Sequence, residues 1–188
     1  MDDGGIVGPK DLLLKVWDIL KTDGPALGLI LNPSKCEWSW LDPSCTDPCP
    51  IDQVELVPTS KIQMLGVPLG SDDFVADFVG KELLPTTKRV AEKLANFEDP
   101  QVAMYLLRLS YGIIRANHFM RTTPLSQWNA HAVAFDEIIR FTTESILKRP
   151  LTADAYDQAC VSTRFGGLGI RKIVDHGPVA FFRIMAQR

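Results

Sequence analysis

The first residues of the chain hold the side chains best suited to metal chemistry. Asp2 and Asp3 are adjacent carboxylates, and Gly4 and Gly5 follow them directly. Asp-Gly and Gly-Gly pairs favour tight two-residue hairpins, because glycine adopts the positive φ angles that such turns require. A turn of this kind holds both carboxylates near its tip, where Mg²⁺ can bind them together with substrate phosphates. Taken alone, the pair is also typical of a solvated chain end.

Two later segments combine apolar runs with residues of possible chemical use. Residues 28–36 read Gly-Leu-Ile-Leu-Asn-Pro-Ser-Lys-Cys, and residues 65–71 read Leu-Gly-Val-Pro-Leu-Gly-Ser. In the second segment, the glycines and Pro68 predict a hinge at which further ladder pairing stops. Lys35, in the first segment, follows a turn, a position where most lysines are solvated. Beside a nucleotide, such a lysine can instead neutralise or protonate a leaving pyrophosphate.

The order of these segments resembles the second half of the palm in reverse transcriptases, especially those of non-LTR retrotransposons. In that family an Asp-Asp turn carries metal-binding carboxylates, an Asn-x-x-Lys segment follows one helix later, and a Leu-Gly strand leads into the thumb. Residues 164–170, Arg-Phe-Gly-Gly-Leu-Gly-Ile, also resemble the helical region after the polymerase core of such elements. The likeness covers nearly the whole chain. The fingers and the first half of the palm, with another metal-binding Asp, would lie before Met1.

The resemblance implies a role for each matching residue. Asp2 and Asp3 would be catalytic residues that hold Mg²⁺ in the two-metal mechanism of an RNA-directed DNA polymerase. Lys35 would be a third catalytic residue, which assists the departure of pyrophosphate. The hairpin that cradles the primer end maps to Leu65, Gly66 and Val67. Because the fingers and the first half of the palm are missing, we expect the 188 residues to be inactive alone.

Charge is distributed unevenly along the chain. Residues 1–75 hold 5 Lys+Arg against 12 Asp+Glu, and residues 76–188 hold 15 against 11. An acidic front and a basic back fit a metal-binding palm joined to a thumb that lies along the phosphates of an RNA template–DNA primer duplex. Chance clustering is the alternative. The candidate nucleic-acid contacts are six cations of the predicted helices, Lys88, Arg89, Lys93, Arg108, Arg115 and Arg121.

The overall composition is typical of a globular protein, with 46% hydrophobic and 23% charged residues. The longest apolar run falls far below the ~20 residues of a membrane span, and no basic segment of a secretory signal opens the chain. We therefore expect an intracellular protein with no membrane partner and reduced cysteines. Cys45 and Cys49 lie in a Pro-rich loop, where zinc would need two further ligands. Exposed thiols at a hairpin tip are the favoured interpretation.

Apolar spacing predicts one helix and several strands before Gly70. The helix runs from Lys10 to about Thr22 and packs on a sheet. The strands are expected at residues 6–7, 27–31, 36–41, 54–57 and 62–65.

After Ser71, which caps the next helix, no convincing strand remains. Pro85 is expected to interrupt that helix, and Asp99-Pro100 to begin another. Further helices are predicted at 125–147, 153–160 and 177–186, and Thr152 is expected to cap the second of these. The core stripe between Asp99 and Thr123 is expected at Val102, Leu106, Leu109 and Ile113, with Ala103, Leu107 and Ile114 beside it.

These elements together predict an α+β protein. Residues 1–70 are expected to be the C-terminal part of a polymerase palm, a small antiparallel remnant. Residues 71–188 are expected to form an all-helical, thumb-like domain. The implied function is that of a reverse-transcriptase fragment. The alternative is a non-catalytic helical module that binds nucleic acid or protein.

Overall fold

The computed structural model describes residues 4–186. The chain divides into two compact units, Met1–Gly70 and Ser71–Arg188. Helices predominate, and the described strands all belong to the first unit. The chain is therefore an α+β protein in which the strands precede the main helical region.

The first unit contains one long helix, α1, which spans Lys10–Thr22 as predicted. Its apolar residues repeat on one side, yet none of them is fully buried. Residues 4–9 are irregular, so the strand predicted at Ile6 and Val7 is wrong. A returning strand needs a neighbour for its backbone groups, and residues 4–9 have none among the described strands.

The buried strand predicted over residues 27–31 is also wrong. A 3-10 turn occupies Gly24–Leu27, and Gly28 closes it in the left-handed region at φ 79°. The backbone therefore turns where the apolar run suggests extension. Leu29 and Ile30 are exposed.

Four short strands form two separate pairs. Their bounds are β1 Glu37–Trp38, β2 Glu55–Leu56, β3 Lys61–Met64 and β4 Val67–Gly70. The first two pair in parallel and are shorter than the segments predicted. The last two form an antiparallel hairpin.

The loop that holds Cys45 and Cys49 is a crossover connection, because the strands on either side of it are parallel. The prediction of a hairpin tip is therefore wrong. Both cysteines are free thiols of intermediate exposure. The indole nitrogen of Trp40 donates a hydrogen bond to the Asp47 carbonyl, 2.8 Å away, within this loop.

Leu65 and Gly66 form the turn between β3 and β4. Both have positive φ, 52° and 73°, as a type I′ turn requires. Pro68 lies opposite Gln63 in the ladder, so the prediction that pairing stops at this proline is wrong. The pair beside a two-residue turn exchanges hydrogen bonds and the next pair does not, so Pro68 sacrifices no ladder bond there.

The second unit contains six α-helices within its described residues, 71–186. They are α2 Asp72–Ala95, α3 Pro100–Leu106, α4 Asn117–Thr122, α5 Asn129–Leu147, α6 Ala153–Cys160 and α7 Ile173–Met185. The predicted caps are confirmed, since side chains of Ser71, Asp99 and Thr152 accept hydrogen bonds from the first turns of α2, α3 and α6.

Pro85 lies inside α2, so the prediction that it ends the first of two helices is wrong. A proline removes one hydrogen bond to the carbonyl four residues earlier, here that of Lys81. Lys81 is exposed, and water can satisfy its carbonyl. Leu83 and Thr87 are buried on either side, so packing holds the helix together across the proline.

The segment between α3 and α4 is wound irregularly. A π turn at Leu107–Tyr111 and a 3-10 turn at Ile113–Ala116 connect the two helices. The π turn adds one residue to a helical turn and so rotates the following side chains. Leu109 of the predicted stripe, within this turn, is exposed, and Val102, in α3 before the turn, is exposed as well. The buried hydrophobic residues of these turns and α3 are Ala103, Leu107, Ile113 and Ala116.

α7 begins four residues earlier than predicted, because a distant carboxylate caps it. Asp136 of α5 accepts hydrogen bonds from the backbone nitrogens of Ile173 at 2.8 Å and Val174 at 3.1 Å. Similarly, α5 begins at Asn129 rather than Leu125, since a separate 3-10 turn occupies Leu125–Gln127.

The buried cluster of hydrophobic residues belongs entirely to the second unit. It extends from Val75 to Ile173, with Trp128 and Phe135 among its largest fully buried side chains. α2 packs mainly against α5, and α7 packs against α4 and α5. None of the helices described between residues 4 and 186 combines the length and apolar character that crossing a membrane requires.

Candidate nucleic-acid interface

The predicted metal ligands Asp2 and Asp3 lie outside the described residues, and their arrangement stays a prediction. Lys35 ends a 3-10 turn, Pro33–Lys35, and its side chain is exposed. Between residues 4 and 186, no three His, Cys, Asp or Glu side chains lie together in a group that could hold a metal ion. A catalytic role of Lys35 stays a prediction from the family resemblance.

The residues predicted to cradle the primer end, the primer-grip candidates Leu65, Gly66 and Val67, lie at the tip of the β3–β4 hairpin. Leu65 and Gly66 are exposed, and Val67 is half-buried. Leucine in the left-handed region costs roughly 1–2 kcal/mol, and here its apolar side chain also faces solvent. At the other end of β4, a Cβ on Gly70 would overlap the Ser60 carbonyl, so glycine is needed for this close approach.

Three of the six candidate cations lie on the last turns of α2. Lys88, Arg89 and Lys93 are exposed, while the buried side chains of α2 occupy its other side. Arg89 and Lys93 are four residues apart and therefore share a face. Glu92 is exposed near them, but within residues 4–186 none of the three cations forms a salt bridge. They can therefore contact phosphates without first breaking an ion pair.

The remaining candidates lie between α3 and the end of α4. Arg115 in the 3-10 turn and Arg121 in α4 are exposed. Arg108 differs from both because it is half-buried in the π turn. A Cβ on Gly169 would lie 3.0 Å from Cδ of Arg108, so the arginine stem packs closely against that glycine.

Two arginine–aromatic pairs were missed by sequence reasoning. The guanidinium carbon of Arg108 lies 5.8 Å from the ring centroid of Tyr105. That of Arg164 lies 5.5 Å from the ring centroid of Phe165. Both distances are within the range of cation–π attraction. The first pair has a sequence signal, because helical residues three apart are neighbours, and the second pair is adjacent in sequence.

A polar cluster around the buried ring of Tyr156 also escaped sequence reasoning. Arg140 and Lys172 lie over the ring of Tyr156, at 5.2 and 5.6 Å from its centroid. Burial raises the pKa of the Tyr156 hydroxyl, and it also raises the pKa of the Cys160 thiol. The Lys172 ammonium donates to Asp157 at 2.6 Å, which raises the pKa of Lys172. Tyr156 and Cys160 thus stay protonated at neutral pH, and the contacts of the cluster join α5, α6 and the residue before α7.

The two units, each taken by itself, present different kinds of surface. The first unit presents a tight apolar hairpin tip, and the second presents exposed helical cations with two arginine–aromatic pairs. One helix, α2, carries Lys88, Arg89 and Lys93, whereas Arg108 packs against Tyr105 and Gly169. Compared with known proteins, the chain matches no protein-family model, no curated protein and no solved structure.

Proposed function

We propose that the chain is the C-terminal palm and thumb portion of a reverse transcriptase of the non-LTR retrotransposon type. Its helical unit would bind the duplex of RNA template and DNA primer. The observation that carries the proposal is the strained, apolar turn at Leu65-Gly66, which Gly70 joins directly to a helical unit with exposed cations. Backbone strain at an exposed turn is typical of a surface that meets a partner.

The role of the helical unit follows from its charge. Exposed lysines and arginines attract phosphates whatever the base sequence, and binding releases the counterions condensed on the nucleic acid. Lys88, Arg89 and Lys93 offer three such contacts along one stretch of α2. Their free side chains make a duplex backbone the best-matched partner of this helix.

The catalytic part of the proposal rests on sequence alone. Asp2 and Asp3 would hold Mg²⁺, which in such enzymes polarises the reacting phosphate oxygens. Lys35, on its exposed turn, would approach the leaving pyrophosphate in the complete enzyme. We expect no primer extension by the 188 residues with Mg²⁺ or Mn²⁺ on a primed RNA template. Incorporation that Asp2→Asn or Asp3→Asn abolishes would contradict the expected inactivity and support the metal ligands.

The alternative is a helical binding module without catalysis. It is favoured by the location of the core, because every residue of the buried hydrophobic cluster lies between Val75 and Ile173. A helical unit of this kind can bind a partner without any help from the palm residues. Primer extension by a longer protein that restores fingers and a complete palm would separate the two functions, since only the polymerase proposal requires it.

The binding proposal is tested by salt titration with a labelled RNA–DNA duplex. The variant Lys88→Ala/Lys93→Ala removes two exposed helical charges from α2. The control Lys15→Ala/Lys21→Ala removes two from α1. We expect the first variant to bind more weakly and to lower the slope of log affinity against log salt by up to about 2, with little change in the control. Equal effects of the two variants, or affinity independent of salt, would remove the duplex-binding role.

A further inference from the structure

We infer that the second unit also binds unstacked bases of single-stranded nucleic acid, in a groove beside the loop 163–169. Tyr105 and Phe165 would stack on the bases, and Arg108 and Arg164 would contact the flanking phosphates. The inference rests on the proposed nucleic-acid role of the helical unit, but it names a different ligand and a different set of residues from the duplex contacts on α2.

The glycines of this loop allow its backbone to pack closely in one conformation. Gly167 approaches the Val161 carbonyl so closely that a Cβ would overlap it. The backbone nitrogens of Leu168 and Gly169 donate to the carbonyls of Ala159 at 3.0 Å and Val161 at 2.9 Å. These bonds pin the loop to the end of α6. The Gly-Gly-x-Gly segment therefore allows the loop to pack closely, and the side chains that the loop exposes to solvent are held in place before a ligand binds.

Gly169 brings the two arginine–aromatic pairs to the same loop. A Cβ on this glycine would meet Cδ of Arg108 at 3.0 Å and Cγ2 of Thr163 at 3.5 Å. Thr163 begins the 3-10 turn that carries Arg164 and Phe165. The stem of Arg108, in the π turn after α3, and Thr163, which directly precedes Arg164, therefore both pack against Gly169.

Both aromatic rings stay largely exposed even with a guanidinium over them. Tyr105 is 57% exposed and Phe165 69%. Neither belongs to the buried core cluster. An exposed ring beside a cation offers a π surface to a base and a charge to its phosphate, the two contacts that single-stranded nucleic acid needs.

An apolar groove lies directly beside the Tyr105 pair. It has a volume of about 320 Å³ and is open to solvent. Tyr105 and Arg108 line it together with Met104, Ile146, Leu147 and Leu168. An unpaired base has an apolar face and polar edges, so it can enter such a groove while its phosphate stays near Arg108.

The charges around the groove match a polyanion. Lys148 and Arg149 directly follow Leu147 of the groove wall, and both are exposed. Two nearby carboxylates are already engaged. Asp99 accepts from the backbone nitrogens of residues 101 and 102, and Glu144 accepts from Arg140 and from the nitrogen of Leu151. Glu144 is paired with Arg140 and Asp99 caps α3, so among the described residues around the groove the cations Arg108, Lys148 and Arg149 stand against one unpaired carboxylate, Glu98. This balance favours a phosphate backbone over a cationic partner.

The groove fits a single strand better than a duplex. In a duplex the base faces are covered by their neighbours, so the exposed rings would gain no stacking. Phosphate contacts alone would then hold the duplex, as proposed for α2. A single strand satisfies the rings, the groove and the arginines together.

The test measures binding of fluorescently labelled 12-nucleotide RNA and DNA single strands to the full chain. The variant Tyr105→Leu/Phe165→Leu keeps apolar volume but removes both π surfaces. Its matched control is Phe141→Leu, because Phe141 is also 69% exposed yet lies outside the groove. Loss of a stacking ring weakens binding by about 5- to 150-fold per base, so we expect at least a 25-fold loss in the double variant. The control should stay within about twofold of the wild type.

A second arm varies the ligand and needs no protein variant. An oligonucleotide of the same length with abasic sites keeps the phosphates, and we expect the wild type to bind it as weakly as the double variant binds the normal strand. Abasic and normal strands of equal affinity, or unchanged binding by the double variant, would overturn the inference. Arg164→Gln should lower the salt slope for single strands and leave duplex binding through Lys88 and Lys93 in place. Failure of duplex binding alone would overturn the proposed function and leave this site standing.

Discussion

The two units of the chain differ in how far they bury their apolar residues. In the second unit, buried hydrophobic residues from Val75 to Ile173 form one cluster. In the described part of the first unit, the buried hydrophobic residues are Trp38 and Val54, and Pro68 is also buried. Large apolar side chains such as Leu29 and Ile30 stay exposed there. The first unit therefore has helix and strand signals without the core that usually stabilises them.

This difference separates local structure from packing. α1 forms over the residues that its apolar spacing predicts, although it buries no side chain fully. In the second unit, packing overrides a local signal, since α2 continues through Pro85. Most helical stability in proteins comes from burial of an apolar face rather than from propensity. The second unit should accordingly be stable by itself, and the first should depend on something that covers its apolar residues.

The largest effect is expected when the two units are separated. A protein of residues 71–188 should be soluble and helical, and it should unfold in one cooperative transition, because its core contacts are all internal. A protein of residues 1–70 should be disordered or aggregated, because its exposed apolar residues and strand edges lack cover. Circular dichroism and thermal melts of both proteins measure this. A folded, cooperatively melting 1–70 protein would contradict the comparison.

The elements that sequence predicts correctly are those fixed by nearby residues. α1 and the caps at Ser71, Asp99 and Thr152 depend on side chains within one or two turns. The start of α7 depends instead on Asp136, 37 residues earlier, and no local pattern reveals it. The strand predicted over residues 27–31 failed for the related reason that an apolar run does not supply a pairing partner.

The candidate site divides in the same way. Exposure of Lys88 and Lys93 could be predicted, because apolar spacing places them opposite the core face of α2. The closeness of Arg108 to the loop after α6 could not, since it depends on a π turn and on the contact with Gly169. Asp2 and Asp3, which began the functional hypothesis, stay predictions from sequence.

A matched pair of leucine truncations sharpens the comparison within the intact chain. Leu107→Ala removes a side chain that is 1% exposed, and we expect it to lower the free energy of unfolding by about 2–5 kcal/mol. Leu29→Ala removes one that is 51% exposed, and the loss should be within roughly 0.5 kcal/mol. Urea titrations followed by circular dichroism measure both. Similar losses would mean that the first unit hides a core of its own.

The next effect concerns the long-range cap of α7. Asp136→Ala should cost about 1–2 kcal/mol, because the nitrogens of Ile173 and Val174 lose their acceptor. Asp136→Asn keeps one acceptor oxygen and should cost less. The exposed control Asp154→Asn leaves this cap intact.

The pH dependence of the same cap has a definite sign. Burial raises the pKa of Asp136 above its ordinary 3.8, despite the two backbone hydrogen bonds. The folded state then binds the proton more tightly than the unfolded state. The part of the stability that is linked to protonation of Asp136 is therefore fully present below pH 3.8 and is lost as pH rises through the raised pKa. Relative to Asp136→Asn, the wild type should lose stability from about pH 4 towards neutrality. A difference that grew with pH would refute the buried-carboxylate account.

The smallest effect compares cysteines of the two units by their rate of reaction with a thiol reagent under native conditions. Cys45 and Cys49 lie in the crossover loop of the first unit, whose side chains are only partly covered. Cys160 lies beside Tyr156 in the second unit, where burial raises its pKa and so lowers its thiolate fraction at neutral pH. Because the thiolate is the reacting species, the two loop cysteines should react quickly and Cys160 slowly. Single Cys→Ser variants assign each kinetic phase of the thiol reaction to one cysteine.

One equivalent of zinc in the purified protein, lost with either Cys45→Ser or Cys49→Ser, would show that the loop holds a metal. The loop would then be more ordered than expected of a unit without a hydrophobic core. A fast Cys160 would instead show that the second unit opens locally around α6.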